Sequence, residues 1–178
     1  MTYHPLMGSR TVIALVQDRP GVLARVSGLF RRRGFNIASL AVGHSERKGM
    51  SRMAFVVEGD ADTVGQVAKQ LDKLIDVVEA EDITDLDVVY REMALIRVVA
   101  VPETRAEILQ LANIFRADIV DVGAEALVIE TTGDADKIDS LIALLQPFGV
   151  REVMRTGRVA MPRSALVKGG RDGHNVKR

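Results

Sequence analysis

The chain has 178 residues, 47% of them apolar, with 24 Lys and Arg against 24 Asp and Glu and no cysteine. This length and apolar share suffice for one ordinary core or two small ones, and the balanced charge removes any overall electrostatic case for nucleic acid or an anionic membrane. Disulfides and thiol chemistry are excluded, and the apolar runs are strand-sized and broken by charge, so a soluble cytoplasmic protein without signal peptide or membrane span is expected.

Residues 1–10 read as an N-terminal arm. Residues 11–16 are β-rich and predict a strand, after which Val22, Val26, Leu29 and Phe30, with Leu23 beside them, recur at helical spacing until Gly34 stops the pattern. Between strand and helix lies Asp18-Arg19-Pro20-Gly21-Val22-Leu23. Proline suits a first helical position, glycine lets a ligand approach the backbone, and an open helix N-terminus can hold a carboxylate. Asn36 opens a second strand over 36–42, joined through the polar turn 45–49 to a third over 53–58. Asp60 can cap a helix carrying Val64, Val67, Ala68 and Leu71 on one face, and residues 75–81 supply a closing strand.

The second half repeats this order. Residues 94–101 predict a strand, Thr104-Arg105-Ala106-Glu107 a capping box, and Ile108, Leu111, Ala112 and Phe115 a helical stripe. Residues 118–122 and 126–132 predict a hairpin, 134–146 a helix and 150–155 a final strand. Gly59-Asp60-Ala61-Asp62 returns as Gly133-Asp134-Ala135-Asp136, and the stripe Val64, Val67, Ala68, Leu71 returns at the same offset as Ile138, Leu141, Ile142, Leu145. The expected fold is therefore α+β, two tandem ferredoxin-like βαββαβ units: 11–82, a linker over 83–92, and 93–162. The tail 163–178, with five Lys or Arg and three glycines, reads as disordered.

Each candidate site has a plainer alternative. The 18–23 turn is either a ligand-binding turn or a simple strand-to-helix connection, and Asn36 either offers its amide to a ligand or serves as an ordinary turn residue. Arg31, Arg32 and Arg33 fall in a last helical turn, where cations meet the helix dipole favourably. His4, His44 and His174 are scattered without metal-ligand spacing, and no nucleophile elbow, P-loop or dinucleotide fingerprint occurs. The first strand is apolar on both faces, so something is expected to cover the sheet face away from the helices or to extend the sheet: a homodimer, a larger partner, both, or a sandwich of the two units.

With strand, Asp18-Arg19-Pro20-Gly21-Val22-Leu23, helix and Arg33-Gly34-Phe35-Asn36-Ile37 in that order, the first unit resembles an ACT domain, an amino-acid-sensing module. Ser39-Leu40, Ser51-Arg52-Met53, Asp118-Ile119-Val120-Asp121-Val122, Pro147-Phe148-Gly149 and Arg155-Thr156-Gly157 extend the resemblance, over residues 11–163, to the small regulatory subunits of acetolactate synthase. The resemblance implies a non-catalytic subunit with no cofactor of its own. Thiamine diphosphate, Mg and FAD would reside in a separate large catalytic subunit, which this chain would activate and make sensitive to valine or another branched-chain amino acid.

It further implies a homodimer through the ACT domains. The effector would lie between the first-strand turn of one copy and the second-strand start of the other, which nominates Asp18, Gly21, Val22, Leu23, Asn36 and Ile37. Amides of residues 21–23 would take the effector carboxylate, Asp18 would attract its ammonium, Asn36 would hydrogen-bond its polar end, and Val22 and Ile37 would enclose its isopropyl group. No equivalent site is expected at Pro102-Glu103-Thr104-Arg105, which lacks the glycine. The competing expectations are a freestanding ACT sensor acting on another protein and a small ferredoxin-like enzyme.

Overall fold

The computed structural model describes residues 9–59 and 61–164, with the backbone alone for 61–63. The proposed cap Asp60, His4, His174 and the tail from residue 165 lie outside the described residues. The first unit comprises β1 (Ser9–Gln17), α1 (Val22–Arg33), β2 (Ile37–His44), β3 (Met50–Glu58), α2 (Ala61–Leu71) and β4 (Val77–Asp82). The second comprises β5 (Val88–Val99), α3 (Pro102–Ile114), β6 (Asp118–Val122), β7 (Ala126–Gly133), α4 (Ala135–Leu145) and β8 (Val150–Arg155), followed by β9 (Val159–Pro162). The sheets run β2-β3-β1-β4 and β6-β7-β5-β8, all neighbours antiparallel, so the duplicated βαββαβ order is observed in space as in sequence.

Alternation sets the two faces of the first sheet. Val12, Ala14 and Val16 from β1 and Met53, Phe55 and Val57 from β3 point to the helices, where they meet Val26, Phe30, Val64 and Leu71. Phe30 and Phe55 pack with ring centroids 5.0 Å apart. The second core repeats the arrangement with Ala94, Ile96, Val98, Leu127, Ile129, Ile138 and Leu141. Each large aliphatic side chain buried here contributes about 1.5–3 kcal/mol relative to exposure. Gly34 ends α1 as expected: at φ 72 it donates to Arg31 O, while Phe35 N donates to Phe30 O, the paired bonds of a Schellman cap.

Three boundaries depart from expectation. β5 begins at Val88, so residues 88–92 are strand rather than linker; their partner is β9, antiparallel from Val88↔Pro162 to Arg91↔Val159. The expected capping box at 104–107 lies inside α3, which starts at Pro102 with Val101 as N-cap and no side-chain cap. Proline preorganises that first turn and shifts the start forward. Pro20, expected at the first position of α1, instead precedes Gly21, which is the N-cap.

Part of the face of the first sheet away from its helices is buried within one chain. Leu15 and Val56 belong to that face by alternation and are buried. Ser39, the register partner of Val56, touches the bend at 156–158 between β8 and β9: Arg158 N donates to Ser39 Oγ at 2.9 Å.

Candidate functional site

The turn leaving β1 is a type II β-turn. Val22 N donates to Arg19 O at 3.3 Å, Pro20 holds the second position, and Gly21 holds the third at φ 85, ψ −8. A residue with a Cβ is strained at that φ, which is the physical reason for glycine here. No side chain caps α1, and among the described residues no acceptor takes the amides of Gly21 or Leu23. These donors, at the positive end of the helix dipole, are of the kind that can accept an anion.

Flanking groups sharpen the electrostatics. Asp18 N donates to Gly49 O at 2.9 Å, and the half-exposed Asp18 carboxylate lies 3.2 Å from His44 Nδ1 at the end of β2. Arg25, one turn into α1, gives its Nε to the buried Asp76 carboxylate at 2.5 Å. The strand order places His44, one of the three histidines without metal-ligand spacing, beside Asp18.

Val22 and Leu23 exchange the parts expected of them. The Val22 side chain is 2% exposed and belongs to the core, whereas Leu23 is 45% exposed. Val22 therefore cannot enclose a ligand side chain, and Leu23 is the apolar residue the turn presents. Ile37 packs half-buried against the same core.

Asn36 and Ile37 do not meet this turn within one chain. β2 runs parallel to β1, both being antiparallel to β3, so β2 starts at the end of the sheet where β1 starts. Ile37 pairs with Val57, while Gln17 pairs with Met50 at the far end, roughly 23 Å away by strand rise over the seven steps between Val57 and Met50. Exposed Asn36 donates its Nδ2 to Glu58 Oε2 at 2.9 Å, and among the described residues no donor takes its amide oxygen.

The second unit closes the equivalent turn. Thr104 N and Arg105 N both donate to Val101 O, and Arg105 Nη2 lies within 2.8–2.9 Å of the carbonyls of Ala100, Gly123 and Ala124. The same arginine keeps its Nε buried without a partner. Farther along, Arg155 forms a two-pronged pair with Glu92 at 2.7 Å and a third bond to Asp139 at 2.6 Å. Those partners, Glu92 foremost, outweigh burial and raise the guanidinium's pKa, which ties β5, β8 and α4 together. Among the described residues, no three His, Asp or Glu side chains converge as a metal site requires.

Comparison with known proteins adds two family matches. Residues 13–79 match the family described as "AHAS small subunit-like ACT domain" and residues 91–164 the family described as "Small subunit of acetolactate synthase". The chain is 56% identical to the probable acetolactate synthase small subunit of Archaeoglobus fulgidus, over 86% of this chain and 96% of that one. It is 47% identical to the acetolactate synthase small subunit of Bacillus subtilis, over 89% and 93%. Among solved structures, the acetolactate synthase small subunit of Thermotoga maritima superposes with a TM-score of 0.82 at 46% identity, covering 87% of this chain and 97% of that one.

Proposed function

The chain belongs to the acetolactate synthase small-subunit family, and from that premise we propose that it is the regulatory subunit that activates a catalytic large subunit and carries its feedback inhibition by valine. One observation carries this reading: the carboxylate-receptive turn at Gly21 and the exposed amide of Asn36 sit at opposite ends of one sheet. A site using both requires two copies. α1 and the edge strand β2 each span the distance between those ends, so a two-fold axis that sets either against its copy in antiparallel sense brings Gly21 of one protomer to Asn36 of the other.

In that dimer the Gly21 and Leu23 amides take the valine carboxylate, and Asp18, shared with His44, attracts the ammonium. Asn36 hydrogen-bonds the polar end of the effector, and exposed Leu23 with Ile37 encloses the isopropyl group. The Val22 amide is engaged by Arg19 and contributes geometry alone. Thiamine diphosphate, Mg and FAD belong to the large subunit in this reading, and no residue of this chain handles them.

Valine inhibits by binding the less activating arrangement better than the activating one. A coupling of about 1–3 kcal/mol, or about 5–150-fold, suffices for feedback. Because a methylene is worth about 1–3 kcal/mol in such a pocket, leucine and isoleucine inhibit at higher concentration.

The test is reconstitution of the large subunit with and without this chain across a valine titration. Acetolactate formation should rise on mixing and fall with valine. Valine binding by a chain that leaves acetolactate output unchanged would instead favour a freestanding ACT sensor, and no response of either kind would remove both readings.

A further inference from the structure

The half-site at Asn36 and Ile37 is mechanically tied to the second unit. β2 changes register against β3 between Ile37 and Ser39, so a bulge follows the first residue of the strand. Immediately after it, Ser39 Oγ accepts the amide of Arg158 at 2.9 Å across 119 residues of sequence. Gly157 fits against the same place. It holds φ 78, and a Cβ there would stand 2.5 Å from Ser39 Oγ and 3.3 Å from Leu40 O.

On its other side the 156–158 bend is anchored in the second unit. Thr156 N donates to Met93 O at 3.0 Å, and Thr156 Oγ1 accepts from Met93 N at 3.1 Å. The Arg158 guanidinium stacks over Tyr90 of β5, 5.1 Å from the ring centroid. The preceding residue, Arg155, is fastened to Glu92 and Asp139. A shift of β2 toward the bend meets Gly157 at van der Waals contact, and a shift away stretches the Ser39 hydrogen bond. Neither motion is absorbed locally, because close-packed contacts transmit displacement.

We propose that Ser39 and Gly157 are positioning residues that pass effector occupancy at Asn36 and Ile37 from the bulged start of β2 to the C-terminal unit. This inference rests on the effector site described above. The bulge is where the ladder between β2 and β3 is interrupted, and the Ser39 to Arg158 hydrogen bond fastens its far side to the bend. A ligand seated on Asn36 and Ile37 displaces the start of β2, and the bend carries that displacement to β5, β8 and α4.

The experiment uses the complex with the large subunit and the variants Ser39→Ala, Ser39→Thr and Gly157→Ala. Three quantities are measured for each: valine affinity of the isolated chain by calorimetry, activation of the large subunit without valine, and the ratio of activity without to activity with saturating valine. Ser39→Ala should leave affinity and activation within about twofold and lower the inhibition ratio about fivefold, the scale of one hydrogen bond. Ser39→Thr, which keeps the hydroxyl, should retain inhibition, and Gly157→Ala should uncouple more strongly than Ser39→Ala.

Unchanged inhibition in Ser39→Ala overturns the inference. So does a parallel loss of valine affinity and inhibition, which would make Ser39 part of the binding site or of general folding. Wild-type chain that binds no valine would fail one step earlier and sink the effector site itself.

Discussion

The two strand-to-helix turns occupy corresponding places in the duplicated fold and differ in what they leave open. In the first, Gly21 at φ 85 places Val22 in a type II turn and leaves neighbouring amides without acceptors. In the second, Pro102 starts the helix, Val101 O collects two amides, and Arg105 bridges the Ala100 carbonyl to those of Gly123 and Ala124 between β6 and β7. The contrast teaches that duplication preserved the scaffold while binding capacity was left to a few turn residues. A glycine with positive φ opens a donor array; an arginine folded back on the backbone shuts one.

The strongest way to break this contrast is Gly21→Asp. An added carboxylate within about 4 Å of the effector's own costs about 4 kcal/mol at the effective dielectric of a protein surface. Valine affinity should fall about a thousandfold by calorimetry while activation of the large subunit persists. Equal loss of activation would show that the turn serves folding or docking instead.

Arg105→Ala tests the other side. Removing the guanidinium leaves the carbonyls of Ala100, Gly123 and Ala124 without that donor, so urea unfolding should report a loss of about 1–3 kcal/mol with valine affinity unchanged. Asn36→Ala is milder, with a loss of about fivefold in valine affinity, the worth of one neutral hydrogen bond, and no loss of activation.

The smallest effect concerns acid. Both units join the start of their first strand to the end of their last by an ion pair, Arg10 with Asp82 and Glu92 with Arg155, with the signs reversed. Burial works to raise the Asp82 carboxyl, but hydrogen bonds from Thr84 and Arg10 outweigh it and hold its pKa below the ordinary value. A carboxyl depressed in the folded state stabilises above its unfolded pKa of about 3.9 and loses that contribution as pH falls through the lower folded value. Urea midpoints should therefore drop more between pH 5 and pH 3 in the wild type than in Asp82→Asn.

Much of the scaffold was legible because its signals are local. Gly34 ends α1, Asp134 caps α4 by accepting Lys137 N at 2.9 Å, and the repeated stripes mark which helix faces pack inward. β9 was not legible: four residues ending in proline carry little strand signal, and their partner is 74 positions away at Val88↔Pro162. Periodicity did place Val22 on the inward stripe with Val26, Leu29 and Phe30; its ligand-facing part came from the resemblance alone, and its burial removes it. The separation of Gly21 from Asn36 did have a signal. A strand-helix-strand crossover joins parallel strands, so the second strand must begin where the first began.

β5 has a consequence for how the molecule comes apart. Its twelve residues serve two structures: from Glu92 onward they lie between β7 and β8, while Val88 to Arg91 pair with β9, whose approach bend rests on the first unit at Ser39. The β5–β9 pair thus holds the 156–158 bend against β2, so parting the halves means breaking the Arg158 to Ser39 contact, and melting should be a single cooperative event. A fragment cut after Asp82 would lose the bonds that Ile83 and Thr84 make to Thr11 and the bend that touches Ser39, even though its own helix-facing core stayed whole.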